Sequence, residues 1–138
     1  MKIISLFNNK GGVGKSTLAF HLSHILAEMG HKTLIIDLDP QCNLTVFSMD
    51  EERLHNIWKE EDSFIDDFDS AVDKIGRKAF ADIVSRPKTI HFLLKPTEDG
   101  SVNSLSDFEI PPPVEISKNL ALIPGRLTIH KYENKISE

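Results

Sequence analysis

Apolar residues occur along this chain both in short runs and in stripes at helical spacing. Residues 2–8 are mostly apolar without alternation, which predicts a parallel strand covered on both faces. From residue 16 to about residue 29 the pattern predicts a helix that ends at Gly30, with an apolar stripe formed by Leu18, Leu22, Ile25, Leu26 and Met29. Residues 31–38 predict a second strand. This β-α-β order requires a right-handed crossover, which brings the ends of both strands to one edge of the sheet.

The rest of the chain has less regular patterns. Residues 50–85 are acidic, with two helical apolar stripes, and predict helices. Residues 89–94 fit a short helix or a strand, and the preceding proline favours the helix. Residues 96–118 contain Pro, Ser and Gly and predict a surface connection. A third strand is predicted at residues 120–123, followed by the beginning of a helix over residues 127–136.

A glycine-rich motif lies between the predicted first strand and first helix. Its sequence is Lys-Gly-Gly-Val-Gly-Lys-Ser-Thr, at residues 10–17. Glycines in such a loop allow successive backbone N–H groups to point inward, and the helix N-terminus adds positive potential. The motif therefore predicts a nucleotide phosphate site in which Lys15 reaches the β- and γ-phosphates and Ser16 is placed to bind Mg²⁺.

Two segments resemble the ParA/MinD family of ATPases, which includes chromosome and plasmid partition proteins. With the additional Lys10, the glycine-rich motif resembles the deviant Walker A motif of that family. The segment Asp37-Leu38-Asp39-Pro40-Gln41 follows a predicted strand and resembles the D-x-D-P-Q signature of the ParA branch. That branch most often has glycine at the position of Cys42.

The resemblance implies a role for each matching residue. The nucleotide-binding residues would be Lys10, Gly11, Gly12, Val13, Gly14, Lys15, Ser16 and Thr17. Among these, Thr17 would contact the α-phosphate and Lys10 the nucleotide of the partner subunit in an ATP-bound homodimer. Asp39 would position the attacking water, so that Lys10, Lys15 and Asp39 form the catalytic set. The metal would be Mg²⁺, bound by Ser16 and, indirectly through water, by Asp37.

The resemblance also defines the expected fold. It is strong over the first 50 residues and weak over residues 119–125, which are similar to the strand before the family's second acidic motif, Asp-x-Pro-Pro. Residues 1–138 contain no such motif. We therefore expect an incomplete α/β fold of the P-loop NTPase type, with a parallel sheet flanked by helices. Residues 1–138 would be the N-terminal part of a single ParA-like domain.

Composition limits the environment and partners of the chain. The 138 residues are 40% hydrophobic and 27% charged, as in ordinary globular domains. A single cysteine and the lack of a long apolar run or signal peptide indicate a cytoplasmic protein without a membrane association. The net charge of −5 disfavours non-specific DNA binding by these residues. DNA contacts would come from regions absent here.

The leading functional interpretation is an ATP-binding module that uses ATP and Mg²⁺. In the complete protein, ATP-dependent homodimerisation and hydrolysis would drive DNA partition together with a ParB-like adaptor, whereas this chain alone would be inactive or very weak. A truncated, non-hydrolysing regulator is an alternative, which the missing second acidic motif favours. A P-loop metabolic ligase or kinase is another, which the Asp37–Gln41 signature disfavours.

Overall fold

The protein combines helices with a mixed three-stranded sheet. The computed structural model of the chain describes residues 1–8, 10–59, 78, 88–90 and 110–126. In chain order the elements are α1 (Lys15–Glu28), β1 (Thr33–Ile36), α2 (Asn43–Ser48), α3 (Glu51–Lys59), β2 (Val114–Ser117) and β3 (Leu120–Ile123). The strand order is β1-β3-β2, with β1 parallel and β2 antiparallel to β3. The α/β class is confirmed, with one antiparallel strand added.

Helix α1 lies within one residue of its predicted bounds at each end. At its C-terminus Gly30 has φ 88°, a left-handed conformation that glycine adopts without steric cost. The Gly30 N–H donates to the Ala27 carbonyl and the His31 N–H donates to the Leu26 carbonyl, both at 3.0 Å. This pair of hydrogen bonds is a Schellman motif, so the predicted glycine stop is confirmed.

The face that α1 turns to the core differs from the predicted apolar stripe. Ser23 and Ala27 are buried, and Ala19 and Phe20 pack beside them. By contrast, three residues of the predicted stripe are more than half exposed, namely Leu18, Ile25 and Met29. Apolar spacing alone therefore did not identify the face that packs, because small residues form much of it.

The parallel pair β1 and β3 forms the centre of the core. Both strands were predicted, and their register pairs Thr33 with Leu120 and Ile36 with Ile123. The buried cluster consists of Ala27, Ile35, Leu44, Leu120 and Leu122. Complete burial of a leucine side chain contributes about 1.5–3 kcal/mol, so Leu120 and Leu122 are major contributors. This pair of strands fixes the position of the segment that follows β1.

Strand β2 corrects the prediction of a surface connection over residues 96–118. Val114–Ser117 pairs with β3 in an antiparallel hairpin, and two residues connect the strands. Pro111, which precedes β2, is buried. Asn119 in the connection has φ 67°, which asparagine tolerates well. Its side-chain amide donates to the Ala27 carbonyl at 3.3 Å and ties the hairpin to α1. The alternation of Val114 and Ile116 was the available signal for this strand.

Residues 2–8 are the main departure from the predicted fold. They form no strand, and Ile3 and Phe7 are each 83% exposed. A strand is stable only when a neighbouring strand satisfies its backbone groups, and no strand among the described residues pairs with this segment. The predicted strand at residues 2–8 was therefore wrong, although the segment carries the apolar residues typical of one.

Some predicted elements are present in part. Helix α3 confirms the start of the helical region at residues 50–85, and α2 was not predicted. Thr89 and Ile90 are buried and belong to neither a helix nor a strand. Most of the region after α3, residues 91–94 and the predicted helix at residues 127–136 lie outside the described residues. Within the described part of the chain, no helix has the length and apolar character needed to cross a membrane.

Candidate functional site

The glycine-rich loop opens directly onto the N-terminus of α1. Gly12 and Gly14 have φ angles of 73° and 83°, so the chain turns through left-handed conformations that a side chain would strain. Gly14 is the N-cap and no side chain caps the helix. Because the first N–H groups of a helix have no partner within it, this end of α1 carries unsatisfied donors and positive potential. The geometry fits an anionic phosphate group.

The other residues of the motif surround this helix end. Lys10 is exposed, and its backbone N–H donates to the Asn8 side-chain oxygen at 2.8 Å. Val13 and Thr17 are exposed, whereas Ser16 in the first turn of α1 is half-buried. The motif therefore lies on an accessible surface, as a site for a bound nucleotide requires.

Lys15 and Asp39 meet at this surface. The Lys15 Nζ atom lies 2.6 Å from Asp39 Oδ2, with both side chains partly buried. Lys15 is held at the start of α1, and Asp39 lies just beyond the end of β1. The predicted convergence of the glycine-rich motif and the acidic segment is confirmed, even though residues 2–8 form no strand.

Local hydrogen bonds hold the Asp39 carboxylate in this position. Its Oδ1 accepts from the Gln41 N–H at 3.0 Å, and its own N–H donates to Asp37 Oδ1 at 3.2 Å. Burial alone raises the pKa of Asp39, but the hydrogen bond and charge of Lys15 and the bond from Gln41 outweigh it. The net pKa is below its ordinary value. Asp39 is thus an anion beside Lys15 at neutral pH.

Asp37 is buried and its carboxylate is hydrogen-bonded to α2. Its Oδ2 accepts from the Thr45 N–H at 2.8 Å and from the Thr45 hydroxyl at 2.6 Å. Burial raises the pKa of this carboxyl group, and the hydrogen bonds from Thr45 and from the Asp39 N–H oppose that increase. These contacts make Asp37 an anchor for the segment that carries Asp39.

Thr45 and Gly125 complete the anchor and were missed by the sequence analysis. The Gly125 N–H donates to the Thr45 hydroxyl oxygen at 2.8 Å. A Cβ atom on Gly125 would lie 2.9 Å from the Asp37 carbonyl oxygen, which explains why glycine fits this position. The partners are separated by 80 residues along the chain, so no local pattern indicated the contact.

Replacing Thr45 by valine should destabilise the chain by about 1–3 kcal/mol, because the isosteric change removes one of the two hydrogen bonds to Asp37 Oδ2 and leaves the buried Gly125 N–H without its acceptor. Thr33→Val is the matched control, since the Thr33 hydroxyl makes only an exposed bond to the His31 carbonyl. Urea denaturation of the three proteins measures the difference. An equal effect of the two substitutions would contradict the anchor.

Cys42 stands where the ParA branch most often has glycine, and the backbone conformation at this position explains that preference. It has φ 52°, in the left-handed region that favours glycine, and it precedes α2. Its side chain is completely buried, and burial raises the pKa of the thiol to about 12, with the charges of Asp37 and Asp39 adding to the increase. The thiol is therefore unreactive at neutral pH.

The end of β3 is also tied to α3. The Trp58 indole N–H donates to the Gly125 carbonyl at 3.2 Å, and the buried Arg126 donates to the Trp58 carbonyl at 3.1 Å. An open depression of about 800 Å³ lies along α3 and is lined by Asp50, Glu51, Glu52, Leu54, His55 and Trp58. Its three acidic side chains make it unsuitable for phosphate, in contrast to the glycine-rich loop.

A family model described as "AAA domain" matches residues 1–138, which is the whole chain. The match agrees with the uncapped glycine-rich loop and the Lys15–Asp39 pair. The chain belongs to this AAA-domain family.

A chromosome-partitioning ATPase of Thermus thermophilus is 55% identical over 42 residues. The aligned segment covers 30% of this chain and 17% of that relative. The identity is therefore concentrated in a short part of the AAA-domain fold.

Two solved structures extend the similarity to nearly the whole chain. A protein of Corynebacterium diphtheriae has a TM-score of 0.64 and 27% identity, covering 96% of this chain and 38% of that one. A plasmid partition protein of Borrelia burgdorferi has a TM-score of 0.50 and 26% identity, covering 94% and 41%. The chain thus spans about two fifths of the length of either solved structure, and their fold is that of ParA-type P-loop NTPases. The family match and these relatives together show that the chain belongs to the ParA/MinD-type P-loop ATPases.

Proposed function

We propose that this chain is the ATP-binding module of a partition ATPase. In the complete protein, ATP-dependent dimerisation and hydrolysis would drive the segregation of a plasmid or chromosome. The observation that carries the proposal is the position of Lys15 and Asp39 beside an uncapped, glycine-rich helix N-terminus. The names of the Thermus and Borrelia proteins support partition as the process.

Residues 10–17 would form the nucleotide site. The N–H groups of the glycine-rich loop would bind phosphate oxygens, with Lys15 on the β- and γ-phosphates and Thr17 on the α-phosphate. Ser16 would bind Mg²⁺, and Asp37 would affect the Mg²⁺ shell only indirectly, through water. Bound Mg²⁺ would neutralise charge that develops on the phosphates during transfer.

Two further residues would act on the reaction. Asp39 would orient the attacking water, since phosphoryl transfer depends mainly on positioning and charge stabilisation. Lys10, which is exposed, would reach the nucleotide of the second subunit in the ATP-bound homodimer. We further propose a cytoplasmic location, a ParB-like adaptor, and DNA contacts made by other regions of the complete protein.

The dimer is tested by Lys10→Ala in the complete protein. We expect ATP binding to be retained and ATP-dependent dimerisation to be lost, because Lys10 acts across the subunit boundary. Light scattering coupled to size-exclusion chromatography measures the mass with and without ATP. Lys32→Ala is the matched control, since Lys32 is an exposed lysine outside the motif. If Lys10→Ala still formed a normal dimer with ATP, the proposed role of this lysine would be contradicted.

A further inference from the structure

Lys15 is already engaged by an anion of its own chain. Its ammonium group lies 2.6 Å from Asp39 Oδ2, which is a short, charge-assisted contact between partly buried groups. A phosphate bound at the loop would need the same ammonium group. Asp39 and phosphate are therefore rival anions for one cation, and two anions close to the same ammonium group would also repel each other.

Asp39 is not free to follow Lys15 toward the loop. Its Oδ1 accepts from the Gln41 N–H, and its backbone N–H is bound to Asp37. Asp37 is in turn fixed by two hydrogen bonds from Thr45, whose hydroxyl accepts from Gly125. Hydrogen bonds to a buried part of the chain thus hold the carboxylate in place, whereas the lysine side chain has four rotatable bonds. Lys15 is the partner that moves when the pair separates.

We propose that Asp39 is an internal competitor for Lys15, so that the Lys15–Asp39 pair lowers nucleotide affinity and opens when di- or triphosphate binds. The same event that transfers Lys15 to phosphate would leave the Asp39 carboxylate in its fixed position without its cation. Asp39 is in this respect an affinity-determining residue, in addition to any role in hydrolysis. The inference rests on the proposed function, because it requires that Lys15 bind β- and γ-phosphates.

Asp39→Asn in this chain removes the competing anion, and comparison of ADP with AMP separates an effect at the β-phosphate from a general effect of charge. The amide keeps the shape and the Oδ1 acceptor but removes the anion. We expect the Kd for Mg²⁺-ADP to fall by about three- to tenfold, because ADP would no longer have to break a partly exposed ion pair before it binds Lys15. AMP affinity should not change, because AMP has no β-phosphate for Lys15. Glu28→Gln, at an exposed site on α1, removes the same charge and should leave both affinities unchanged.

A second readout requires no nucleotide. Acetylation of Lys15 by a limiting amine-reactive reagent, followed by mass spectrometry, should be several-fold faster in Asp39→Asn than in the unaltered chain. The exposed Lys10 provides the internal standard and should react equally in both proteins. Faster labelling with no change in stability would identify a freed lysine and not a loosened fold.

Each outcome is decisive. Unchanged or weaker ADP binding by Asp39→Asn would overturn the competition, as would an equal gain for ADP and AMP, which would indicate general charge repulsion. Unchanged Lys15 labelling would also overturn it, because the pair would then not occupy the lysine in solution. If the unaltered chain and Glu28→Gln both bind no ADP, the proposed function itself fails, and this result is recognised before the Asp39 comparison is made.

Discussion

Lys15→Ala should weaken the binding of Mg²⁺-ADP by about 30- to 150-fold. A hydrogen bond to a charged group contributes about 1.5–3 kcal/mol, and we expect a loss of about 2–3 kcal/mol for a lysine at the β-phosphate. AMP affinity should hardly change, because the motif directs Lys15 to phosphates that AMP lacks. The substitution therefore removes the preference for ADP over AMP, and calorimetric titration of both nucleotides measures it.

Lys10→Ala is the control within the same motif. The Lys10 side chain is exposed and would act only on a second subunit, so its loss should leave ADP binding by a single chain unchanged. The loop geometry should also survive Lys15→Ala, since Gly14 and the first turn of α1 do not depend on the lysine side chain. ADP binding by Lys15→Ala as tight as in the unaltered chain would show that the lysine does not bind phosphate.

Asp39→Ala in the complete protein should lower ATP turnover by about 10²-fold or more while the protein still binds ATP and dimerises. Groups that act on the attacking water contribute on this scale, and they act on the transition state more than on the ground state. Loss of the ion pair with Lys15 should favour ATP binding, because the lysine is then available to phosphate. Phosphate release at saturating ATP measures turnover, and light scattering measures the dimer.

The matched control for this substitution is Glu28→Ala, which removes an exposed acidic side chain at the far end of α1. Its turnover should equal that of the unaltered protein. Wild-type phosphate release by Asp39→Ala would refute a role for this carboxylate in hydrolysis, whereas loss of ATP binding would show that it supports the site only structurally.

The bounds of α1, the strands β1 and β3, and the approach of Lys15 to Asp39 could all be predicted from the sequence. Each depends on signals close together in the chain, such as Gly30 as a helix stop, or the reversal of the chain by α1 between the glycine-rich loop and β1. The resemblance to ParA/MinD ATPases was likewise confirmed, by the family match together with the partition proteins among the relatives. These features are encoded within stretches of about 10–40 residues, which is the range of pattern reasoning.

The errors came from contacts between distant parts of the chain. Residues 2–8 have the composition of a strand, yet a strand requires a hydrogen-bonded neighbour, which composition does not supply. The buried face of α1 was missed because Ser23 and Ala27 pack closely without being strongly apolar. The Thr45–Gly125 hydrogen bond joins residues 80 positions apart, and it assigns Asp37 a structural task that the acidic motif alone did not indicate.

The central claim is that the glycine-rich loop and Lys15 bind the β- and γ-phosphates of a nucleotide. Its most direct test is a calorimetric comparison of Mg²⁺-ATP, Mg²⁺-ADP and AMP with the unaltered chain. We predict that ATP and ADP bind more tightly than AMP by at least about tenfold, because the loop and Lys15 contact chiefly the phosphates beyond the first. Equal and weak binding of all three nucleotides would contradict the claim.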